Sequence, residues 1–179
     1  MDHFEGLVSM LLEAEGYWVR RSYAVNLSKE AKKETGKPSI PRPEIDILAF
    51  HAKSNILIAL EVKSLLDSPG VRLADLQLEH ELAEGRFKLF TTATYRRIVL
   101  NALRAELISV GMINDQTEVR LGLACGNIYK GLSGEVRNYL GSRGIFFWSP
   151  EDIKGRLTAL ADAGYKNDAA TMVAKMLLR

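Results

Sequence analysis

Three charged residues interrupt an otherwise apolar stretch of this chain. Asp46 lies just inside the run Ile45–Phe50, and Glu61 and Lys63 close the run Ile56–Val62. The two runs are joined by His51-Ala52-Lys53-Ser54-Asn55, which reads as a hairpin turn between strands buried on both faces. A turn centred between Lys53 and Ser54 sets Asp46 opposite Glu61. Directly opposed side chains stand roughly 4.5–5.5 Å apart at Cβ, where like charges destabilise the pair, so a positive group is expected between them. Side chains alternate along a strand, which puts Lys63 on the face of Glu61. Paired carboxylates without soft ligands suit Mg²⁺ or Mn²⁺, hard ions that keep waters and take phosphate oxygens as further ligands. The backbone carbonyl of Val62 is a further oxygen donor. Lys63 would orient or help deprotonate a water, or stabilise a charged transition state. The bland alternative is a pair of strand-end salt bridges, Glu61 with Lys63 and Asp46 with Arg42, which contribute about 0–1 kcal/mol when exposed.

Elements must position these residues. Phe4, Leu7, Val8, Leu11 and Leu12 recur at helical spacing up to Gly16, predicting an amphipathic helix with a glycine C-cap. Tyr17–Val25 predicts a strand, rich in aromatic and β-branched residues. Residues 28–43 are almost devoid of apolar side chains and read as a surface loop, with five basic residues against two acidic. After the hairpin, a helix is expected over Val71–Glu84, a short strand over Phe87–Phe90, and a long helix over Thr94–Val110 with Thr91, Thr92 or Thr94 as N-cap. A strand at Val119–Cys125, a helix at Glu135–Leu140 and a strand at Gly144–Trp148 follow. A C-terminal helical region opens with Ser149 as N-cap and Pro150 at its first position. The hairpin followed by helix–strand alternation implies an α/β fold, a central mixed sheet with helices on both faces.

Glu44-Ile45-Asp46, a hairpin, then Glu61-Val62-Lys63 resembles the PD-(D/E)xK signature of the restriction-endonuclease-like nuclease superfamily. Phe4-Glu5 in a first helix, then Gly16-Tyr17 and a strand, resembles the acid-bearing helix of its Mrr-like and Holliday-junction-resolvase-like members. The likeness spans roughly residues 4–100, in the element order αβββαβ, with Pro43 three positions before Asp46 rather than immediately before it. It implies a restriction-endonuclease-like core and a Mg²⁺- or Mn²⁺-dependent nuclease, most naturally a DNA endonuclease. In it Asp46 and Glu61 would hold metal with the Val62 carbonyl, Lys63 would be the catalytic lysine, and Glu5 an accessory acid. Glu44 and Gln77 are candidates for supporting the site from behind.

Residues 86–104 carry five positive charges and no acid. Arg86, Lys88, Arg96 and Arg97 there, with Lys32 and Lys33 in the earlier loop, are candidate nucleic-acid contacts. The alternative function on the same fold is a non-catalytic nucleic-acid-binding or assembly subunit. A homodimer would let two sites address two strands.

Composition narrows the classes. The 179 residues are 47% hydrophobic and carry a net charge of +2, which suits one globular domain of residues 1–179 with residues 150–179 as a helical appendage. The lone Cys125 cannot form an intrachain disulfide, and no zinc spacing or Ser-His-Asp arrangement connects His3, His51 and His80. Gly126, Gly131 and Gly134 lack the Gly-Lys-Ser/Thr of a phosphate-binding loop. No apolar run reaches the roughly 18 residues that span a bilayer, and the start lacks a signal-peptide pattern, so a cytoplasmic, non-membrane protein is expected.

Overall fold

A computed structural model describes residues 2–162, 164 and 168–178. The chain forms an α/β fold around one five-stranded mixed sheet, in the spatial order β1 (Trp18–Ala24), β2 (Glu44–His51), β3 (Ile56–Lys63), β4 (Glu118–Cys125), β5 (Phe146–Trp148). The first three strands are antiparallel neighbours, while β3–β4 and β4–β5 are parallel. Parallel neighbours require crossovers. The first crossover carries helices α3 (Leu73–Gln77), α4 (Lys88–Thr91) and α5 (Ala93–Ser109), and the second carries α6 (Ser133–Ser142). Helix α1 (His3–Ala14) precedes the sheet, α2 (Lys29–Glu34) lies between β1 and β2, and α7 (Pro150–Asp162) and α8 (Ala169–Leu178) follow β5.

Strand alternation sends side chains to two apolar layers. Leu48, Leu57, Ala59, Leu121 and Leu123 pack beneath α5, α6 and the short helices, meeting Tyr95, Val99, Leu103, Leu107 and Leu140. Ile47, Ala49, Ile58, Leu60 and Val62 point the other way, to Val8, Leu11 and Leu12 of α1 and Ile153 and Leu160 of α7. Helices therefore cover both faces. Each fully buried side chain of this size contributes about 1.5–3 kcal/mol. Helix α7 starts with a capping box, since Ser149 Oγ accepts the Asp152 N–H at 3.2 Å while the Asp152 carboxylate accepts the Ser149 N–H at 2.8 Å. Among the described residues no helix is long and apolar enough to cross a membrane.

Three sequence expectations are corrected. Phe87–Phe90 is not a strand, because Lys88–Thr91 forms a single helical turn whose Leu89 and Phe90 enter the core. A short apolar run cannot by itself distinguish the two states. The helix expected over Val71–Glu84 is confined to Leu73–Gln77, ending where Leu78 turns extended (ψ 141°). Residues 28–43 include α2, capped by Ser28, whose hydroxyl accepts the Ala31 N–H at 3.1 Å.

Candidate active site at the open end of the hairpin

The β2–β3 register runs from His51↔Ile56 to Ile47↔Leu60, the pairing that a turn centred between Lys53 and Ser54 dictates. It stops one step short of Asp46. On the other side of β2, pairing passes from Arg21↔Ile47 to Tyr23↔Ile45, skipping Ser22 and Asp46. Ser22 is held at φ 51°, in the left-handed region that disfavours a β-carbon. Across this break the strand reverses its facing: Ile45 belongs to the layer under α5, whereas Ile47 belongs to the layer under α1. Simple parity therefore does not carry from Asp46 back to Glu44.

The Asp46 carboxylate uses the freedom of the interrupted ladder. Its Oδ2 accepts the backbone N–H of Val62 at 2.7 Å and lies 3.4 Å from Lys63 Nζ. Lys63 Nζ also lies 2.5 Å from Glu61 Oε1, so one ammonium bridges two carboxylates. The side chains of Asp46, Glu61 and Lys63 are only 17%, 13% and 20% exposed, so solvent screens their interactions far less than those of a surface ion pair. Gly126 fixes the end of β3: its N–H donates to the Lys63 carbonyl at 2.9 Å. A β-carbon there would stand 2.5 Å from the Ser64 carbonyl oxygen, a distance only glycine avoids.

Burial pushes the Glu61 carboxyl above its ordinary range, with Asp46 adding to the rise and Lys63 opposing it. For Lys63, burial works against the ammonium, but the charges and hydrogen bonds of Glu61 and Asp46 outweigh it and raise the pKa. Lys63 is consequently a firmly protonated group, suited to stabilising negative charge rather than accepting a proton. Glu5 occupies the first turn of α1. Its pKa is raised by burial and by the charges of Asp46, Asp2 and Glu44, with Lys63 opposing, which puts Glu5 within electrostatic reach of the central trio.

The other candidates divide. Glu44 is exposed at the start of β2 and lines a cavity of about 290 Å³ with Arg42, Glu61, Gly85, Arg86, Lys88, Leu89 and Tyr95. Arg86 and Lys88 are thus brought to Glu61. Gln77 is exposed at the last residue of α3 and does not line that cavity. Arg96 is turned inward, its Nη1 donating to the carbonyls of Leu89 (3.2 Å) and Phe90 (2.9 Å). Arg97 pairs with Glu34 of α2, the helix that also carries Lys32 and Lys33. Sequence reasoning did not place Arg42 or Tyr95 beside Glu61. Only the short Pro41-Arg42-Pro43 lead into β2 hints at the first, since it fixes the approach of the backbone. Arg42 donates to the Asn26 side-chain oxygen and not to Asp46.

Asp46 and Glu61 are hard oxygen donors, a set that fits Mg²⁺ or Mn²⁺ bound through two carboxylates with waters completing the shell. Among the described residues, no group of three or more His, Cys, Asp or Glu side chains gathers as a metal site. A two-carboxylate site therefore depends on the Val62 carbonyl, water and substrate for its remaining ligands. No family model, curated protein or solved structure matches the chain.

Proposed function

We propose that the protein is a metal-dependent nuclease with a restriction-endonuclease-like core, hydrolysing phosphodiester bonds, most naturally in DNA. The observation that supports this reading best is the convergence of Asp46, Glu61 and Lys63 where the β2–β3 ladder opens, with Lys63 Nζ 3.4 Å and 2.5 Å from the two carboxylates. Asp46 and Glu61, with the Val62 carbonyl, would hold Mg²⁺ or Mn²⁺. The ion would supply Lewis-acid polarisation of a phosphoryl oxygen. Asp46 is aimed by the Val62 N–H, which fixes its carboxylate before any ligand arrives. Lys63, kept charged by its two acids, offsets the negative charge that develops on the phosphoryl oxygens. Glu5, with its raised pKa, holds a proton more readily than an ordinary carboxylate and can donate or accept a hydrogen bond at the edge of the site.

The cations Arg42, Arg86 and Lys88 that line the cavity beside Glu61 support one second reading, a nucleic-acid-binding or assembly subunit on the same fold. Incubation with supercoiled plasmid separates them. A nuclease relaxes or linearises the plasmid with Mg²⁺ or Mn²⁺ and stops in chelator. A binding subunit retards it equally with and without metal and leaves it intact.

A further inference from the structure

The five basic side chains of residues 86–104 differ in what they already hold. Arg96 caps the carbonyls of Leu89 and Phe90, and Arg97 pairs with Glu34. Arg104 donates to the carbonyls of Thr117 and Asp115, both at 2.5 Å. Those three are committed to the fold. Arg86 and Lys88 have no hydrogen-bond or ion-pair partner for their side chains among the described residues, Lys88 lying over the Tyr95 ring at 5.5 Å with its charge also reaching Glu61. Both line the cavity of about 290 Å³ that Glu61 shares, and Arg42 lines it from the lead into β2.

The lining is three cations against the two carboxylates of Glu44 and Glu61, a surplus of one, and of the three only Arg42 already donates a hydrogen bond, to Asn26. An uncommitted positive surplus beside the carboxylates calls for an anion. The volume lies just below the roughly 300–1,000 Å³ of ligand pockets, too little for a duplex and enough for a phosphate with part of its sugar. The guanidinium fork of Arg86 matches phosphate geometry, and Lys88 supplies a mobile point charge. Tyr95, whose hydroxyl is pushed up to about 12 by burial and by Glu61, stays neutral and adds no competing anion.

We propose that this cavity is a phosphate subsite, in which Arg86 and Lys88 grip a strand phosphate neighbouring the one presented to Asp46, Glu61 and Lys63. The assignment rests on the nuclease reading and adds how the strand is held. The phosphate is either an internal phosphodiester or the terminal phosphate of a strand end.

Fluorescence anisotropy in chelator, where nothing is cut, tests it on the full chain. Three labelled single-stranded oligonucleotides serve as probes, one with a 5′-phosphate, one with a 3′-phosphate and one with hydroxyls at both ends. A terminal source predicts that one phosphorylated probe binds about tenfold tighter than the hydroxyl probe and that Arg86→Ala/Lys88→Ala removes the difference. An internal source predicts equal binding of all three, weakened about tenfold by the double variant, with the salt slope reduced by roughly 0.7 for each cation removed. In either case Arg86→Lys/Lys88→Arg restores most of the binding, which a folding defect would not explain. Lys53→Ala, at the hairpin turn, leaves binding unchanged. Arg86→Ala alone, an exposed position, carries the test if the double variant does not fold. Binding and salt slope identical to wild type in a folded Arg86→Ala/Lys88→Ala protein would overturn the subsite. That result alongside intact metal-dependent cleavage would leave the nuclease standing, whereas phosphate-dependent binding without cleavage would remove the nuclease and keep the subsite.

Discussion

Asp46 Oδ2 accepts the backbone N–H of Val62 at 2.7 Å, so a side-chain carboxylate takes a place in the sheet where a strand carbonyl would otherwise stand. The same oxygen lies 3.4 Å from Lys63 Nζ. One acid thus ends the β2–β3 ladder, aims itself, and fixes the position of the lysine. Structure and chemistry are joined at this residue, and its substitutions should separate them.

Asp46→Ala leaves the Val62 N–H without an acceptor, at a cost of about 1–3 kcal/mol. Asp46→Asn keeps an acceptor oxygen for the Val62 N–H and should cost less than the alanine while removing the charge. Urea denaturation midpoints measure the difference. Equal destabilisation by the two would mean that the hydrogen bond to Val62 contributes nothing.

Glu61 and Lys63 predict two pH limbs of the same sign, one in the acid range and one in the alkaline range. Because burial raises the Glu61 pKa above 4.5 in the folded protein, the native state binds the proton more tightly than the unfolded chain. Stability should therefore fall as pH rises from about the unfolded carboxylate value through the folded one. Glu61→Gln removes that limb. Lys63, raised above 10.5, contributes stability that is fully present below the unfolded value and lost as pH climbs through the folded one. Lys63→Met removes the alkaline limb and enlarges the acid one, since two carboxylates then lack their shared cation. Denaturation midpoints across the pH range test both, and an unchanged acid limb in Lys63→Met would contradict the coupling.

A divalent cation should be detectable without any substrate. Saturating Mn²⁺ at about 100 times its dissociation constant should raise the unfolding free energy by about 2.7 kcal/mol in the wild type. Asp46→Asn and Glu61→Gln should show little of that gain. Scanning calorimetry decides it, and an equal gain in all three proteins would place the ion elsewhere.

Arg96 should prove structural. Its Nη1 satisfies two carbonyls of the α4 turn, so Arg96→Met should destabilise the fold by about 1–3 kcal/mol. Nucleic-acid affinity per folded molecule should stay within twofold. A large affinity loss in a folded variant would return Arg96 to the binding surface.

Much of the site could be read before the fold was known, because its information is local. The hairpin turn at His51–Asn55 sets the register, and the register sets Asp46, Glu61 and Lys63 at one end. The two-sided burial of β2 and β3 follows from their mostly apolar runs, and α5 from its 3.6-residue period. What was not legible depends on contacts distant in sequence. The fate of Phe87–Phe90 is decided by the core its side chains share with α5 and by Arg96 capping its carbonyls, neither of which a short apolar run encodes. The reversal of facing at Asp46 requires Ser22 on the neighbouring strand to leave the ladder. The division of positive charge into committed and free side chains required the partners themselves. Arg97 finds Glu34, and Arg104 finds the Asp115–Thr117 turn, leaving Arg86 and Lys88 beside Glu61.

The most direct measurement is cleavage of supercoiled plasmid DNA in Mg²⁺ or Mn²⁺ by the wild type, Asp46→Asn and Lys63→Ala, with Arg120→Ala as a distant control and each protein verified as folded. Metal-dependent nicking or linearisation is expected from the wild type and Arg120→Ala, with a loss of about a hundredfold or more in the two site variants. Cutting by folded Asp46→Asn and Lys63→Ala at the wild-type rate, or no cutting of plasmid, linear, flap or four-way-junction DNA by the wild type in either metal, would contradict it.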